Sequence, residues 1–358
     1  MTTGKTRFSV FSRTALALFV LSSASGPAQA ASMITIPGKP TKDDTALAIV
    51  STANTKMSHK KITVGEYVFV PNVGKCWNVA AYKLMRGTKV LSQGYPDQYW
   101  PNSTYFTVVT PMVVPAANFP ARKLGANLED FDNQMKAPIK SLAPGYSVFG
   151  SGSPEIIIER ANCGAKCLYE YSIFSLGKSF KKLAKIETGN DPIRFIDIGG
   201  NGSVEGIGIE NTFDCWKFSS ASSPRLRIIL RFKDGKARLA TDLMKTPPPS
   251  AAYMNKIVAE TTKAMQPPKE GDFNYADRKD SDDVILPTEM VDNLLDLIFS
   301  GNGTSAWQYL DQVWPKRELT YESTVEKETV TKAQFSEQFK EQLAKSPYWS
   351  DVKALNGW

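Results

Sequence analysis

Histidine is almost missing from this chain: His59 is the only one in 358 residues. That scarcity argues against a zinc site built on imidazoles. Any Ser-His or Cys-His nucleophile would have to use His59, which sits in the polar run TKMSHKK and reads as exposed. No G-x-S-x-G turn and no H-E-x-x-H helix occurs, so two common hydrolase signatures are lacking. The Gly177-Lys178-Ser179 triplet resembles the end of a phosphate-binding loop. Ser172 stands where the first glycine of that loop belongs, so the triplet reads as a turn between strands. Beyond residue 30 no long apolar run free of proline and charge occurs, and no internal repeat is evident.

Charge of one sign does not dominate either. Residues 31–150 hold 13 Lys and Arg against 7 Asp and Glu, residues 151–249 hold 15 against 11, and residues 250–358 hold 12 against 18. A balance this mixed gives no case for a nucleic-acid partner. It sets a basic front against an acidic rear.

What is present begins at the N-terminus. Lys5, Arg7 and Arg13 precede the apolar stretch TALALFVLSSA, and Ala28 and Ala30 stand before a cleavage point. This is the pattern of a secretory signal peptide over residues 1–30, too short to span a bilayer, and no cysteine follows it to carry a lipid. Cleavage after Ala30 would leave a chain without a transmembrane anchor, periplasmic or secreted. Its four cysteines, Cys76, Cys163, Cys167 and Cys215, then lie where disulfides persist. Four cysteines allow three pairings. Cys163 and Cys167 can close on each other and leave Cys76 for Cys215, or each can reach a distant partner.

Residues 31–150 alternate β-branched and aromatic runs (KITVGEYVFV, STYFTVVTPMVV) with Pro, Gly and Asn, and read as a β-rich domain. FPARKLGANLEDFDNQM breaks the pattern and reads as a short helix or a surface loop. Residues 151–249 read as an antiparallel meander that shares the same core. In LRIILRF, Leu226, Ile228, Leu230 and Phe232 alternate with Arg227 and Arg231, the period of a half-buried strand, and Asp234-Gly235 supplies a hairpin turn. Residues 250–358 form a helical segment. Ser250 caps a helix carrying Met254, Ile257 and Val258; Met290, Leu294, Leu297 and Ile298 mark a second that stops at Gly301; Thr331 and Gln334 have capping-box spacing before Phe335, Phe339 and Leu343. The fold class expected is α+β: a β-rich N-terminal domain, an antiparallel β-meander and a C-terminal helical segment.

Two stretches offer sites. RFIDIGGNGSVEGIGIEN places Asp197, Asn201 and Glu205 at positions 1, 5 and 9 of a calcium loop, with Gly202 at position 6. Position 3 is Gly199 and position 12 is Gly208, so ligands are missing, and weak calcium, about 10⁻⁴ to 10⁻³ M, is the only cofactor implied. The alternative is a type I′ hairpin turn at Asn201-Gly202 with both carboxylates exposed. GYPDQYWPNSTYF gathers Tyr95, Tyr99 and Trp100, whose flat faces suit sugar rings; the alternative is burial of these aromatics against the β domain.

The order D-x-G-G-N-G-x-x-E, DCWKFSSASSP, DGK and DLMKTPPP, followed by LDLIFSGNGTSAWQYLDQVWP and QFKEQLAKSPYW, resembles secreted bacterial proteins with a single degenerate FG-GAP/VCBS-like Asp-rich hairpin and a helical tail. The likeness runs from about residue 160 to residue 358. It implies a hairpin able to hold calcium through Asp197, Asn201 and Glu205, and it implies no activity. The function expected is therefore non-catalytic: a periplasmic or secreted binding or envelope-associated protein, its β surfaces meeting an envelope glycan or envelope protein. The competing expectation is a secreted glycan-acting hydrolase, since a carboxylate pair needs no histidine.

Overall fold

Runs rich in Val, Ile, Tyr and Phe become strands because branched and aromatic side chains pack well on a pleated surface. The computed structural model describes residues 61–73, 79–95, 104–125, 140–142, 145–149, 152–163, 167–266, 284–322 and 327–358. All of them fall in one unit, Ser51–Trp358. Residues 1–30, His59, Cys76, Tyr99 and Trp100 lie outside the described residues.

The architecture is α+β. Strands β1 (Ile62–Val64), β2 (Tyr67–Val73), β3 (Val79–Arg86) and β4 (Lys89–Gly94) form an antiparallel sheet in that order. The next strands, β5 (Thr104–Val109), β6 (Met112–Val114) and β7 (Lys140–Ser141), leave it for the two other large sheets. β5 joins β8 (Glu155–Cys163), β9 (Cys167–Leu176) and β10 (Phe180–Thr188) in the order β10-β9-β8-β5. β6 and β7 extend the third sheet, which holds β11 (Arg194–Ile198), β12 (Val204–Glu210), β13 (Leu226–Lys233) and β14 (Lys236–Leu239) in the order β14-β13-β12-β11-β6-β7. The β6–β11 pairing is parallel and the others in this sheet are antiparallel. The meander of residues 151–249 is thus divided between two sheets, and residues 104–141 contribute a strand or more to each.

The sheets stack. Tyr67, Phe69, Tyr82 and Leu84 of the first sheet pack on Phe106, Val108, Ile156, Ile158 and Phe174 of the second. The opposite face of the second sheet, with Val109, Ile157, Tyr171 and Ile173, packs on Phe195, Ile228, Leu230 and Phe232 of the third. A sheet covered on both faces reads as a continuous apolar run, which is why EIIIERA lacks alternation. Phe195 joins the layers, 5.2 Å from the Tyr171 ring and 5.5 Å from that of Phe232, and truncation to Ala would cost about 3–5 kcal/mol.

Helices α1 (Thr241–Met244), α2 (Ala251–Ala264), α3 (Thr288–Phe299) and α4 (Gly303–Val313) follow, then the hairpin β15 (Leu319–Glu322) and β16 (Lys327–Val330), then α5 (Lys332–Ala344) and α6 (Trp349–Asn356). The expected caps form: Ser250 accepts from Tyr253 N, and Thr331 with Gln334 makes a complete capping box. Gly301 takes φ +80° just past α3, and Asp234 and Gly235 take φ 51° and 73° in the β13–β14 turn. α3 buries Met290, Val291, Leu294, Leu295, Leu297 and Ile298 in the core shared with the third sheet.

One local expectation needs correction. β13 is buried on both faces rather than one, because helices α1 and α3 pack on it and bury Ile229 and Arg227 along with the apolar row. Of the FPARKLGANLEDFDNQM stretch, residues 119–125 are described, and they follow the loop alternative. No helix among the described residues is long and apolar enough to cross a membrane.

Candidate functional site

The loop between β12 and β13, NTFDCWKFSSASSP, folds back on itself at two non-glycine residues in the left-handed region, Cys215 (φ 59°) and Lys217 (φ 60°). Such residues cost about 1–3 kcal/mol each and need local compensation. Compensation is visible at both. Cys215 N donates to Ser223 Oγ at 2.8 Å, and Ser223 Oγ donates to Ser219 O at 2.9 Å. The Lys217 ammonium lies 3.6 Å from the Tyr321 ring centre, 5.3 Å from that of Trp216 and 3.6 Å from Glu328 Oε2. Asp214 collects Asn190 Nδ2 (3.4 Å), Ser220 Oγ (3.3 Å) and the Cys215 thiol (3.7 Å). The fold-back presents the 3-10 turn Ser220–Ser222 to the start of α3, where Thr288 Oγ1 donates to Ser222 O at 3.0 Å.

α3 is apolar on its core side and carries Thr288, Asp292 and Asp296 at four-residue spacing on another side, so the three share one stripe. Asp296 anchors a distant segment. Its carboxylate accepts from the Arg122 guanidinium and, at 2.7 Å, from Gly125 N. Gly125 has φ +71°, and a Cβ there would lie 3.2 Å from the Tyr253 hydroxyl. Arg122, its side chain 3% exposed, also points NH1 at Met244 Sδ, 3.7 Å away. Asp292 Oδ1 accepts from Arg225 N at 3.3 Å, and the Arg225 guanidinium pairs with Asp191.

These elements leave a cleft of about 490 Å³ lined by three arginines, two aspartates and the small polar groups of Ser222, Ser223, Thr288 and Asn293, with Ala221 and Leu226 as apolar wall. That volume is typical of a small-ligand site. Burial pushes the Asp292 carboxyl up to about 6, helped by the nearby Glu289 and Asp296 and opposed by the Arg225 N–H. Burial, followed by the charge of Asp296, raises the Tyr253 hydroxyl as well. Beneath the cleft, Asn293 Nδ2 reaches Tyr309 OH (3.1 Å) and Thr261 Oγ1 (3.4 Å), which tie α3 to α4 and α2. The arrangement sets guanidinium donors beside carboxyl and amide groups in one cleft.

The Asp-rich hairpin is differently disposed. Asp197 and Glu205 are buried, 3% and 4% exposed, and the loop between them places Gly199, Gly200 and Gly202 at positive φ while Asn201 is not there. The two-residue type I′ turn with exposed carboxylates therefore does not form. Asp197 instead turns over the loop and accepts from Asn201 N (2.9 Å) and Gly202 N (3.0 Å), and Asn201 Oδ1 accepts from Ser203 N (2.8 Å). The register pairs Asp197 with Val204 and Ile196 with Glu205. Since opposite residues share a face and successive ones alternate, the pleat sends the two carboxylates to opposite faces. Glu205 lies 3.4 Å from Arg231 Nε; burial raises its carboxyl, and Arg231 opposes that rise. No group of three or more His, Cys, Asp and Glu among the described residues is placed to hold a metal ion.

Tyr95 is 61% exposed, whereas Tyr105 and Phe106 at the far end of the aromatic stretch enter the core. Cys163 and Cys167 form a disulfide across the β8–β9 turn. The cleft had a weak trace in sequence, the Thr288/Asp292/Asp296 stripe on a helix whose core side is apolar. Nothing in the sequence connects Arg122 to it. No family model, curated protein or solved structure matches this chain.

Proposed function

We propose that this chain is a non-catalytic binding protein of the periplasm or cell exterior, and that it takes a small polar ligand from the envelope in the cleft between β13 and α3. The observation that carries the reading is the cleft's rigid polar lining: Asp296 is held from two sides by Arg122 and Gly125, and Asp292 by the backbone of Arg225. Groups held in this way lose little freedom on binding, which favours affinity for a small ligand. The extracytoplasmic setting is supported by the signal-peptide pattern of residues 1–30 and by the Cys163–Cys167 disulfide. The contact lies at a sheet–helix junction rather than on the open β surfaces, and an envelope glycan suits it better than a protein.

Native mass spectrometry of the chain after incubation with a small-molecule extract of envelopes tests this. A bound mass below about 1 kDa, a size matched to a pocket of this class, is expected on the wild type and not on Ser222→Trp, whose indole fills the cleft. The reading falls if the variant retains the same adduct, or if no adduct forms on either.

A second reading, a glycan-acting hydrolase, is favoured by one observation. Asp292 and Asp296 stand one helical turn apart in a single cleft, and the Asp292 carboxyl is pushed up to about 6, as a general acid requires. Reducing ends released from envelope polysaccharide by the wild type and not by Asp292→Asn would establish it in place of simple binding.

A further inference from the structure

Arg122 holds the feature that narrows the ligand. Its guanidinium is spent at NH2 on Asp296 and at NH1 on Met244 Sδ, while Nε is buried with no acceptor among the described residues. A buried charged donor left unmatched is costly, so a site retains one where something outside the chain supplies the acceptor. Arg122 lines the cleft together with Arg225, Arg227, Asp292 and Asp296. Arg122 pairs with Asp296 and Arg225 with Asp191, and a guanidinium carries five N–H donors, more than these two pairings use. Arginine's planar fork suits carboxylate and phosphate oxygens.

The other lining groups ask for something else. The Asp292 carboxyl has one hydrogen bond among the described residues, from Arg225 N, and this leaves an oxygen for a ligand hydroxyl. Ser222 Oγ accepts from Ser219 Oγ at 3.1 Å and keeps its own proton to donate. Leu226 and Ala221 add apolar lining for C–H groups.

We propose that the cleft binds a ligand carrying an anionic oxygen group on a hydroxylated ring, an acidic sugar or a sugar phosphate, with the anion at Arg122 and Arg225 and the ring hydroxyls at Asp292 and Ser222. The proposal rests on the cleft being the binding site. The carboxylate and the phosphate ester share the chemistry that the arginines recognise, and the ring distinguishes both from a bare anion.

Isothermal titration of the full chain with glucuronic acid, glucose 6-phosphate, glucose and inorganic phosphate, each to 10 mM, is the test. At least one of the two anionic sugars should bind tenfold or more tighter than glucose and than inorganic phosphate. Arg122→Lys keeps a cation for Asp296 and lacks Nε, and it should weaken that binding tenfold or more. Arg225→Gln, at an exposed side chain, repeats the test where the lysine variant fails to fold. Equal binding of glucose overturns the anion assignment and leaves the cleft reading standing, provided Ser222→Trp abolishes it. Equal binding of inorganic phosphate overturns the role of the ring. Anionic sugar binding that survives Ser222→Trp and both arginine variants overturns the site itself. No binding by either anionic sugar overturns the ligand class, and the envelope adduct then decides the cleft reading separately.

Discussion

Glu159 sits on β8, 2% exposed, between the second and third sheets, with Tyr171 and Thr107 opposite it on the flanking strands. Burial pushes its carboxyl up to about 7, against the pull of a hydrogen bond from Tyr171, whose hydroxyl also accepts from Ile193 N at 2.8 Å. The folded protein therefore holds a proton at pH values where the unfolded chain has released it. With the folded pKa above the unfolded one, the associated stability is fully present below about 4.5 and is lost as pH rises through 7. One pKa unit corresponds to about 1.4 kcal/mol, so the loss across that window is about 3 kcal/mol. Glu159→Gln keeps a partner for Tyr171 and cannot ionise. Urea midpoints followed by far-UV circular dichroism at half-unit steps from pH 4 to 8.5 should give nearly constant differences between the two proteins at the acid end. The variant should gain about 3 kcal/mol over the wild type by pH 8. Buried Asp292 and Glu210, whose carboxyls are also raised, titrate alike in both proteins and cancel in the difference. Parallel midpoint curves would refute the reasoning, since they would mean that Glu159 is solvated or paired and ionises at its ordinary value.

Asp197→Ala removes the acceptor of two backbone N–H groups and should lower stability by about 1–3 kcal/mol, equally in millimolar calcium and in chelator. A loss confined to calcium-containing buffer would instead mark the hairpin as a metal site. Asp296→Ala leaves the buried Arg122 guanidinium without its carboxylate and should cost about 3 kcal/mol, read from the same urea midpoints; a loss below about 1 kcal/mol would show that water reaches Arg122. Opening the Cys163–Cys167 disulfide with Cys163→Ser and Cys167→Ser should cost about 2 kcal/mol, small because the closed loop is short. A loss twice as large in thermal unfolding would show that the β8–β9 turn supports more than itself.

Local chemistry was legible wherever neighbours in sequence are neighbours in space. Ser250 and the Thr331–Gln334 pair cap their helices because a cap needs only three residues of reach. Asp234-Gly235 turns β13 into β14 because both residues take the positive φ that the turn requires. The alternation of LRIILRF correctly placed Leu226, Ile228, Leu230 and Phe232 on one face. It misjudged the other face, because alternation reports which residues differ and not what covers them. The Asn201-Gly202 pair misled for a related reason. A dipeptide sets a turn only if the strands stop beside it, and here Asp197 captures two loop amides and holds a longer loop open.

By itself, then, the amino-acid order determined the α+β class, the sites of the caps and the tight turn, and the helical rear of the chain. These are short-range consequences of φ preference, periodicity and side-chain shape. Tertiary structure alone decided that the strands of residues 151–249 divide between two sheets, that β5 and β6 each complete a different one, and that Cys163 closes on Cys167. It alone made the cleft, by bringing Arg122 to Asp296 across 174 positions of chain and folding Ser222 against Thr288. A contact at that separation leaves no mark on local spacing, because burial and charge pairing select it only after the sheets have stacked.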